Sequence, residues 1–298
     1  MSGMSLKHLA ARALRAVAWR IERPPRRLRR NAAAAHSVDG PVGAGSAAVG
    51  AGSAPGSRAA SWFFEKFPIF YLTSSTAATT ARLNLRYEAI FGENRDIVAG
   101  ASVLDLASHD GRWSLAALAT GARSVIGIEA RPELVKAATA NLGAYGYRED
   151  RVRFVTGDVH EVMSRQDLAA DVVLCLGFLY HTLRYNELLH EIRRTGARYL
   201  IIDTFSPHMK GPVPNVNVLI EDADEEGKAA ADSYTDGSSV LVGRPNLAAI
   251  RTMLGAYGYR VERLSDWDGL LRDNPGTDNC GDYANGSRIT VRCVNVTV

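Results

Sequence analysis

Three acidic side chains in the middle of the chain each lie at or just after the end of a short apolar run. Asp105 lies in the first run, Glu129 ends the second, and Asp158 follows the third. In a parallel sheet such positions share one edge, where a carboxylate can accept hydrogen bonds from ribose hydroxyls or from an exocyclic amine. Three acids in this order therefore predict a site for a ligand that contains a nucleoside.

The loop of residues 107–111 connects the first run to a predicted helix that begins at Arg112. A tight turn from a strand into a helix N-terminus offers backbone N–H groups to a carboxylate or another anion. Gly111 is the only glycine in this loop. Ala107 and His109 place β-carbons where the backbone would approach a ligand closely. The loop therefore argues against a nicotinamide dinucleotide, whose pyrophosphate requires that close approach.

His181 is the first candidate catalytic group, because it follows the fourth apolar run within the sequence Gly-Phe-Leu-Tyr-His. A histidine has an ordinary pKa of about 6.5 and can accept a proton, or orient an acceptor, near neutral pH. Tyr180 could line the same opening or belong to the core. His181 could alternatively cap the helix expected near Leu183 or pack beside the bound ligand.

Asp203 ends the fifth run, and its place at the functional edge of the sheet makes it a further catalytic candidate. We expect the following segment, 205–242, to form an irregular lid over the ligand site. It contains an acidic cluster of Glu221, Asp222, Asp224, Glu225 and Glu226. These carboxylates could bind a divalent metal or form a solvated surface, so a metal requirement stays open. Later in the chain, Asp282, Tyr283 and Arg288 could touch an acceptor or close a hairpin.

Short apolar runs alternate with helical patterns over most of the chain, which is typical of an α/β fold with a parallel sheet. The seven runs span residues 102–106, 124–129, 152–155, 171–176, 199–203, 260–264 and 288–296. Helical patterns separate the first five runs. We therefore predict a doubly wound, seven-stranded, mostly parallel sheet whose strand ends bring the candidate residues together.

The chain divides into three predicted regions: a basic amphipathic segment (1–35), a flexible Gly/Ala/Ser-rich linker (36–60) and a folded domain (61–298). Residues 1–30 contain nine basic side chains and one acid, a net charge of +8, so the rest of the chain carries −5 of the total of +3. A folded domain of negative charge argues against binding to nucleic acid. The basic segment could make weak contact with an anionic membrane surface.

The cysteines indicate a reducing environment. Cys175, Cys280 and Cys293 have scattered spacings that match neither a disulfide framework nor paired zinc ligands. Cys175 lies in an apolar run, and we expect it to be a buried free thiol. The sequence contains no run of 18 apolar residues and no apolar stretch typical of a secretory signal. These features predict a cytoplasmic protein.

Over residues 62–298 the sequence resembles the class I S-adenosylmethionine-dependent methyltransferases. Their first loop usually reads acid-x-Gly-x-Gly-x-Gly, for which this chain has Asp105, Ala107, His109 and Gly111. The resemblance implies a Rossmann-like methyltransferase fold, S-adenosylmethionine as the cofactor and S-adenosylhomocysteine as the product. The carboxylate and amine of methionine are smaller than a pyrophosphate, and they tolerate a bulkier loop.

The resemblance also implies roles for individual residues. Asp105 and the backbone of 107–111 would hold the methionine part of the cofactor. Glu129 would hold the ribose, and Asp158 with Val159 would hold the adenine. The full set of implied cofactor-binding residues is Asp105, Ala107, Ser108, His109, Gly111, Trp113, Glu129, Ala130, Asp158, Val159 and Leu176. The catalytic candidates named above would face the transferred methyl group.

The sequence lacks two motifs whose absence restricts the class of acceptor group. The Asn/Asp-Pro-Pro-aromatic motif of base-directed amino methyltransferases does not follow the fourth run, and Cys175 does not match the Pro-Cys nucleophile of cytosine-C5 enzymes. These absences favour an oxygen, or a simple amine, as acceptor. The stretches Leu-Gly-Phe-Leu-Tyr-His and Ser-His-Asp-Gly-Arg-Trp resemble those of some actinobacterial sugar O-methyltransferases. We therefore expect O-methylation of a small molecule, such as a sugar.

Two alternatives stay open. The stretch Gly-x-Leu-Tyr-His also resembles a tRNA wobble-uridine-modifying family, which would imply a tRNA base as substrate and S-adenosylmethionine or a derivative as cofactor. Residues 1–30 could instead anchor a non-catalytic domain to a membrane or a protein partner. A homodimer is a further option, because the aromatic residues within 62–71 need a cover that a lid or a second subunit could supply.

Overall fold

The computed structural model describes residues 62–73, 79–207, 212–223 and 227–297. The predicted basic segment (1–35) and linker (36–60) lie outside these ranges, and so do residues 224–226 of the acidic cluster. Within the described ranges, no helix has the length and apolar character needed to cross a membrane.

The described residues contain nine β-strands. In chain order they are β1 (Ser102–Leu106), β2 (Ser124–Glu129), β3 (Val152–Thr156), β4 (Val172–Leu176), β5 (Tyr199–Phe205), β6 (Val216–Asp222), β7 (Ser239–Pro245), β8 (Tyr259–Leu264) and β9 (Arg288–Asn295). Seven of them form one sheet in the order β3-β2-β1-β4-β5-β9-β8, and β6 pairs with β7 in a separate sheet. Each predicted run forms a strand of the large sheet, with bounds that differ by at most two residues.

The large sheet is parallel from β3 across to β5, and β9 runs antiparallel between β5 and β8. All five residues of β4, the central strand, are buried. A strand covered on both faces has this burial pattern, because helices pack on each side of a doubly wound sheet. The predicted doubly wound, seven-stranded, mostly parallel sheet of a Rossmann-like fold is confirmed.

Helices connect the strands. In chain order the α-helices of the described ranges are α1 (Ile69–Thr73), α2 (Thr80–Tyr87), α3 (Arg95–Val98), α4 (Arg112–Thr120), α5 (Pro132–Ala144), α6 (Val159–Arg165), α7 (Tyr185–Arg194), α8 (Leu247–Ala256), α9 (Trp267–Asp273) and α10 (Gly281–Ala284). Single turns of other helix types span Phe63–Lys66, Glu88–Gly92 and Leu179–His181. As predicted, α4 begins at Arg112. The helix predicted near Leu183 begins two residues later, at Tyr185.

The two faces of the sheet carry separate hydrophobic cores. Side chains alternate along each strand, so Val103 of β1 packs into one core while Leu104 and Leu106 pack into the other. The second core also holds Cys175, which is buried and unbridged as predicted.

The aromatic residues at the start of the domain pack into the first core. Phe64 and Phe70 are completely buried, and the ring of Phe63 stacks on Tyr87 with 3.7 Å between centroids. Trp113 lies edge-on to Phe64 at 5.8 Å. These side chains therefore find cover within the domain, and a homodimer stays a prediction.

The expected irregular lid, 205–242, contains regular structure instead. Strands β6 and β7 pair in antiparallel register from Val216↔Pro245 to Asp222↔Ser239. The error has a simple cause, because the prolines and acids around this segment obscured the apolar run of β6. The β6–β7 hairpin contacts the turn Leu179–His181, and the backbone N–H of Gly243 donates to the carbonyl of Thr182 at 3.2 Å.

Candidate active site

A cavity of about 700 Å³ opens at the carboxyl ends of β1 to β5. Residues at or just beyond these strand ends line it: Ala107, Ala130, Asp158, Gly177 and Phe205. Val240 and Leu241 of β7, together with six residues between 227 and 234 in the connection of the hairpin, also line the cavity. Its volume falls in the range of about 300–1,000 Å³ typical of small-molecule sites. The cavity is therefore the candidate active site.

Ten of the fourteen predicted site residues line this cavity. They are Ala107, His109, Trp113, Glu129, Ala130, Asp158, Val159, Leu176, Tyr180 and His181. The other four, Asp105, Ser108, Gly111 and Asp203, are not among the lining residues.

The loop of residues 107–111 adopts the path that glycines usually allow. Ala107 and His109 have left-handed backbones, with φ angles of 54° and 53°. Such conformations cost a residue with a side chain about 1–2 kcal/mol each, so the surrounding contacts must impose them. Gly111 has a φ of 82°, and a β-carbon there would lie 2.7 Å from Cδ1 of Leu142 on α5. The one retained glycine is therefore required by both backbone conformation and packing.

Glu129 is buried at the end of β2, and it lines the cavity. Its Oε2 accepts a hydrogen bond from the backbone N–H of His109 at 3.0 Å, and its Oε1 accepts one from the N–H of Arg131 at 3.0 Å. A carboxylate has about four lone-pair positions, so about two stay available to a ligand. This arrangement suits a carboxylate that accepts hydrogen bonds from ribose hydroxyls.

The loop side chains hold one another in place. Oδ1 of Asp110 accepts a hydrogen bond from Nε of Arg112 at 2.7 Å, and Nη2 of Arg112 lies 2.9 Å from Nδ1 of His109. Burial alone would raise the pKa of Asp110, but Arg112 and His109 outweigh it and lower that pKa to about 2. The backbone N–H of Ser108 donates to the carbonyl of Ile128 at 2.9 Å. These contacts fix the loop against β2.

Asp105 lies beneath the loop. Its side chain is buried, and its Oδ2 accepts a hydrogen bond from Oγ of Ser114 at 2.7 Å. Burial, together with the nearby charges of Glu129 and Asp110, raises the pKa of Asp105 to about 7. Contact between this carboxyl group and the methionine part of a cofactor stays a prediction.

Asp158 has a structural role and also borders the cavity. Its Oδ1 accepts a hydrogen bond from the backbone N–H of Glu161 at 3.1 Å, which caps α6. Nη1 of Arg184 lies 3.4 Å from the same oxygen and 3.0 Å from Oδ2 of Asp232, in the connection of the hairpin. Arg184 thus ties the edge of the predicted adenine site to the segment that covers it.

His181 is paired with a carboxylate from the β6–β7 hairpin. Nδ1 of His181 lies 2.6 Å from Oε2 of Glu221, which also accepts a hydrogen bond from the backbone N–H of Ala229 at 2.9 Å. Burial alone would raise the pKa of Glu221, but the contact with His181, the N–H of Ala229 and the charge of Lys228 together outweigh it and lower that pKa. Glu221 is therefore ionised at neutral pH and fixes the imidazole ring. Within the described chain only Nδ1 of this ring has a hydrogen-bond partner, and the ring lines the cavity.

Asp203 is completely buried and binds two arginine side chains. Its Oδ1 accepts hydrogen bonds from Nη2 of Arg288 at 2.6 Å and Nη2 of Arg86 at 3.0 Å. Its Oδ2 accepts from the hydroxyls of Tyr283 and Thr290, each at 2.8 Å. Although burial opposes ionisation, these partners lower the pKa of Asp203. The geometry makes Asp203 a positioning residue rather than a group that touches an acceptor, because its oxygens are used by the protein.

Several residues that line the cavity, or contact a lining residue, were not predicted or were left undecided. Glu221 was grouped with the acidic cluster, and no local signal paired it with His181. Arg86 and Arg184 carried no motif at all. The open question about Arg288 is answered in part, since this side chain lines the cavity and contacts Asp203.

The acidic cluster does not form a recognisable metal site in the part of the chain that the structure describes. No group of three or more His, Cys, Asp or Glu side chains there is arranged to hold a metal ion. Glu221 is buried against His181, so this member of the cluster is not part of a solvated surface.

Comparison with known proteins gives a match to one family model over part of the chain and a set of similar solved structures. Residues 103–197 match the family model described as methyltransferase domain. No curated protein matches the chain. The chain is similar to the N-terminal domain of EvdMO1 crystallised with S-adenosylhomocysteine, at 20% identity over 76% of this chain and 83% of that one, with a TM-score of 0.47.

Two further solved structures are comparably similar. One is an S-adenosylmethionine-dependent methyltransferase from Mesorhizobium loti, at 15% identity over 70% of this chain and 99% of that one, with a TM-score of 0.49. The other is the 1,6-didemethyltoxoflavin-N1-methyltransferase of Burkholderia thailandensis, at 18% identity over 78% of this chain and 86% of that one, with a TM-score of 0.49.

Proposed function

We propose that the protein is an S-adenosylmethionine-dependent methyltransferase that methylates a hydroxyl group of a small molecule, such as a sugar; the match of residues 103–197 to the methyltransferase-domain model supports the first part of this proposal. The pairing of His181 with Glu221 at 2.6 Å is the observation that carries this proposal. A hydroxyl acceptor must lose its proton as it is methylated, and a fixed histidine can take that proton.

The described residues fit the cofactor. Glu129 presents an oriented carboxylate to the cavity, and Val159 and Leu176 add apolar surface beside it. The left-handed backbones of Ala107 and His109 give the loop the path that a methionine carboxylate and amine would need. When bound, S-adenosylmethionine would supply a methyl group from its positively charged sulfur to the acceptor oxygen. The cofactor would leave as S-adenosylhomocysteine.

The residues of the chain then act on the acceptor. Nδ1 of His181 faces Glu221, so Nε2 is the ring nitrogen that can accept the hydroxyl proton. The ionised carboxylate of Glu221 stabilises the imidazolium that forms, in the way a buried carboxylate supports a general base in other enzymes. The tyrosine ring of Tyr180 packs 4.2 Å from the imidazole and borders the same space.

The test is to incubate the full chain with S-adenosylmethionine and a panel of polyhydroxylated small molecules, and to follow release of S-adenosylhomocysteine. We expect an O-methylated product, and a large loss of rate in His181→Gln. A product methylated on nitrogen or carbon, or an undiminished rate in His181→Gln, would contradict the proposal.

A further inference from the structure

The cavity has a cationic end, rich in arginine, that the predicted cofactor-binding residues do not explain. Arg82 and Arg86 of α2 and Arg288 of β9 line it there. Glu129 and Asp158 lie at the ends of β2 and β3, whereas Arg288 pairs in register with Phe205 of β5, three strands away from β2. Neighbouring strands lie about 4.8 Å apart, so the cationic end is separated from the ribose site by more than about 10 Å at the level of the sheet.

Among the described residues, the acids that contact these arginines do not neutralise this end. Asp282 binds Arg82 through two hydrogen bonds, at 2.6 and 2.7 Å. Buried Asp203 is shared between Arg86 and Arg288. Three guanidinium groups therefore face two carboxylates, which leaves a net charge of +1 in a partly desolvated pocket.

Arg86 is the guanidinium with the most unused donors. It donates one hydrogen bond, from Nη2 to Asp203 at 3.0 Å, and in the described part of the chain neither its Nη1 nor its buried Nε has a partner. The side chain is only 11% exposed, and its guanidinium lies 4.8 Å from the centre of the Trp113 ring, which restricts its movement. A guanidinium has five N–H donors in a rigid fork, a geometry that matches an oxyanion.

Arg288 presents a second donor to the same space. Its Nε and Nη2 are used by Asp203, but Nη1 has only a long contact of 3.4 Å to the hydroxyl of Tyr180. Tyr180 lies next to His181 in the chain, and their rings are 4.2 Å apart. A group bound by Arg288 would therefore lie beside the proposed base.

We propose that Arg86 and Arg288 form an oxyanion subsite, and that the acceptor carries a carboxylate or a phosphate in addition to the hydroxyl that is methylated. This inference rests on the proposed function and names its substrate class as an anionic hydroxy compound, such as a sugar acid or a sugar phosphate. The anion would neutralise the net charge and accept hydrogen bonds from Arg86 Nη1 and Arg288 Nη1, and so orient the hydroxyl toward His181.

The test measures thermal unfolding of the full chain in sodium acetate, sodium phosphate or sodium chloride at equal ionic strength, with and without S-adenosylhomocysteine. We expect acetate or phosphate to raise the melting temperature above that in chloride, and the more effective salt identifies the anion. Arg86→Gln should weaken the apparent affinity for that anion by about tenfold or more, as expected for loss of a charge-assisted hydrogen bond. Arg86→Lys keeps the charge beside Asp203 and should lose part of the effect.

The matched control is Arg292→Gln. Arg292 is 12% exposed, like Arg86, but it pairs with Asp96 and Glu262 and does not line the cavity. This variant should keep the full response to the anion. Equal melting temperatures in all three salts, or an unchanged response in Arg86→Gln, would overturn the inference.

A second measurement tests whether Arg86 binds the acceptor or the cofactor, because the methionine part of the cofactor also has a carboxylate. Arg86→Gln should bind S-adenosylhomocysteine within about twofold of the unaltered protein. A loss of about tenfold or more would assign Arg86 to the cofactor and overturn the acceptor assignment. Failure of the unaltered protein to bind S-adenosylhomocysteine would instead contradict the proposed function, and the salt measurements without S-adenosylhomocysteine keep the two failures separate.

Discussion

Nδ1 of His181 lies 2.6 Å from Oε2 of Glu221, although the two residues are 40 positions apart in the chain. His181 follows β4, and Glu221 belongs to β6 in the hairpin that lines the cavity. The contact therefore joins the strand edge where the acceptor would react to a segment that covers the cavity. Placement of the His181 ring therefore depends on correct folding of the hairpin.

The pairing predicts the kinetics of two variants. His181→Gln should lower kcat by about 10²–10⁴-fold, the range for loss of a general base. Glu221→Gln should cause a smaller loss in kcat with little change in KM, because the imidazole remains but is no longer held by a charge. Glu221→Asp should restore part of kcat. Steady-state kinetics with the acceptor found in the panel would measure all three.

The control for this series is His190→Gln, since His190 is exposed on α7 and does not line the cavity. It should leave kcat unchanged. A Glu221→Gln variant with unaltered kcat would show that the contact with His181 has no part in the reaction.

Glu129 should decide cofactor affinity. At a concentration of S-adenosylhomocysteine about 100 times its Kd, binding linkage predicts about 2.7 kcal/mol of stabilisation, seen as a rise of several degrees in Tm. Glu129→Ala should abolish this rise, because no carboxylate is left to accept the ribose hydroxyls. Glu133→Ala removes an exposed acid on α5 and should keep it. A full rise in Glu129→Ala would place the ribose elsewhere.

Two glycine substitutions should have opposite effects on stability. Gly111→Ala should lower the free energy of unfolding by at least about 2 kcal/mol, because its φ of 82° disfavours a side chain and its β-carbon would collide with Leu142. Gly143 lies within α5, and a β-carbon added there would meet no atom within 4 Å. Gly143→Ala should therefore stabilise by about 0.5–1 kcal/mol. Urea unfolding would measure both, and equal effects would contradict the packing argument.

Asp105 should make stability depend on pH. Its pKa is raised from an ordinary value of 3.8 to about 7 in the folded chain. The folded state therefore holds a proton that the unfolded state releases, so this group's favourable contribution is complete below about pH 4 and is lost as the pH rises to about 7. The difference between the two pKa values corresponds to a change in the free energy of unfolding on the order of 4 kcal/mol.

The variant Asp105→Asn isolates this effect, because an amide does not titrate in that range. Relative to Asp105→Asn, the unaltered protein should lose unfolding free energy between about pH 4 and pH 7, as measured by urea unfolding at several pH values without ligand. Parallel pH profiles for the two proteins would show that Asp105 has the same pKa in the folded and unfolded states.

Local patterns were sufficient to predict the sheet. The seven apolar runs became seven strands because alternation of apolar runs and helical patterns reflects burial of each element against its neighbours. The same patterns predicted the acids at strand ends, since the end of a strand is a property of the local sequence. They failed for β6, where prolines and carboxylates obscured the apolar residues.

The sequence by itself therefore determined the fold class, the methyltransferase resemblance and the order of Asp105, Glu129 and Asp158 along one sheet edge. Only the tertiary structure decided that Ala107 and His109 keep left-handed backbones, because contacts from the rest of the domain must supply the energy that their β-carbons cost. It also decided that Glu221 meets His181 and that Asp203 holds two arginines. Such pairings depend on how distant elements pack, and no periodicity within either element specifies its partner.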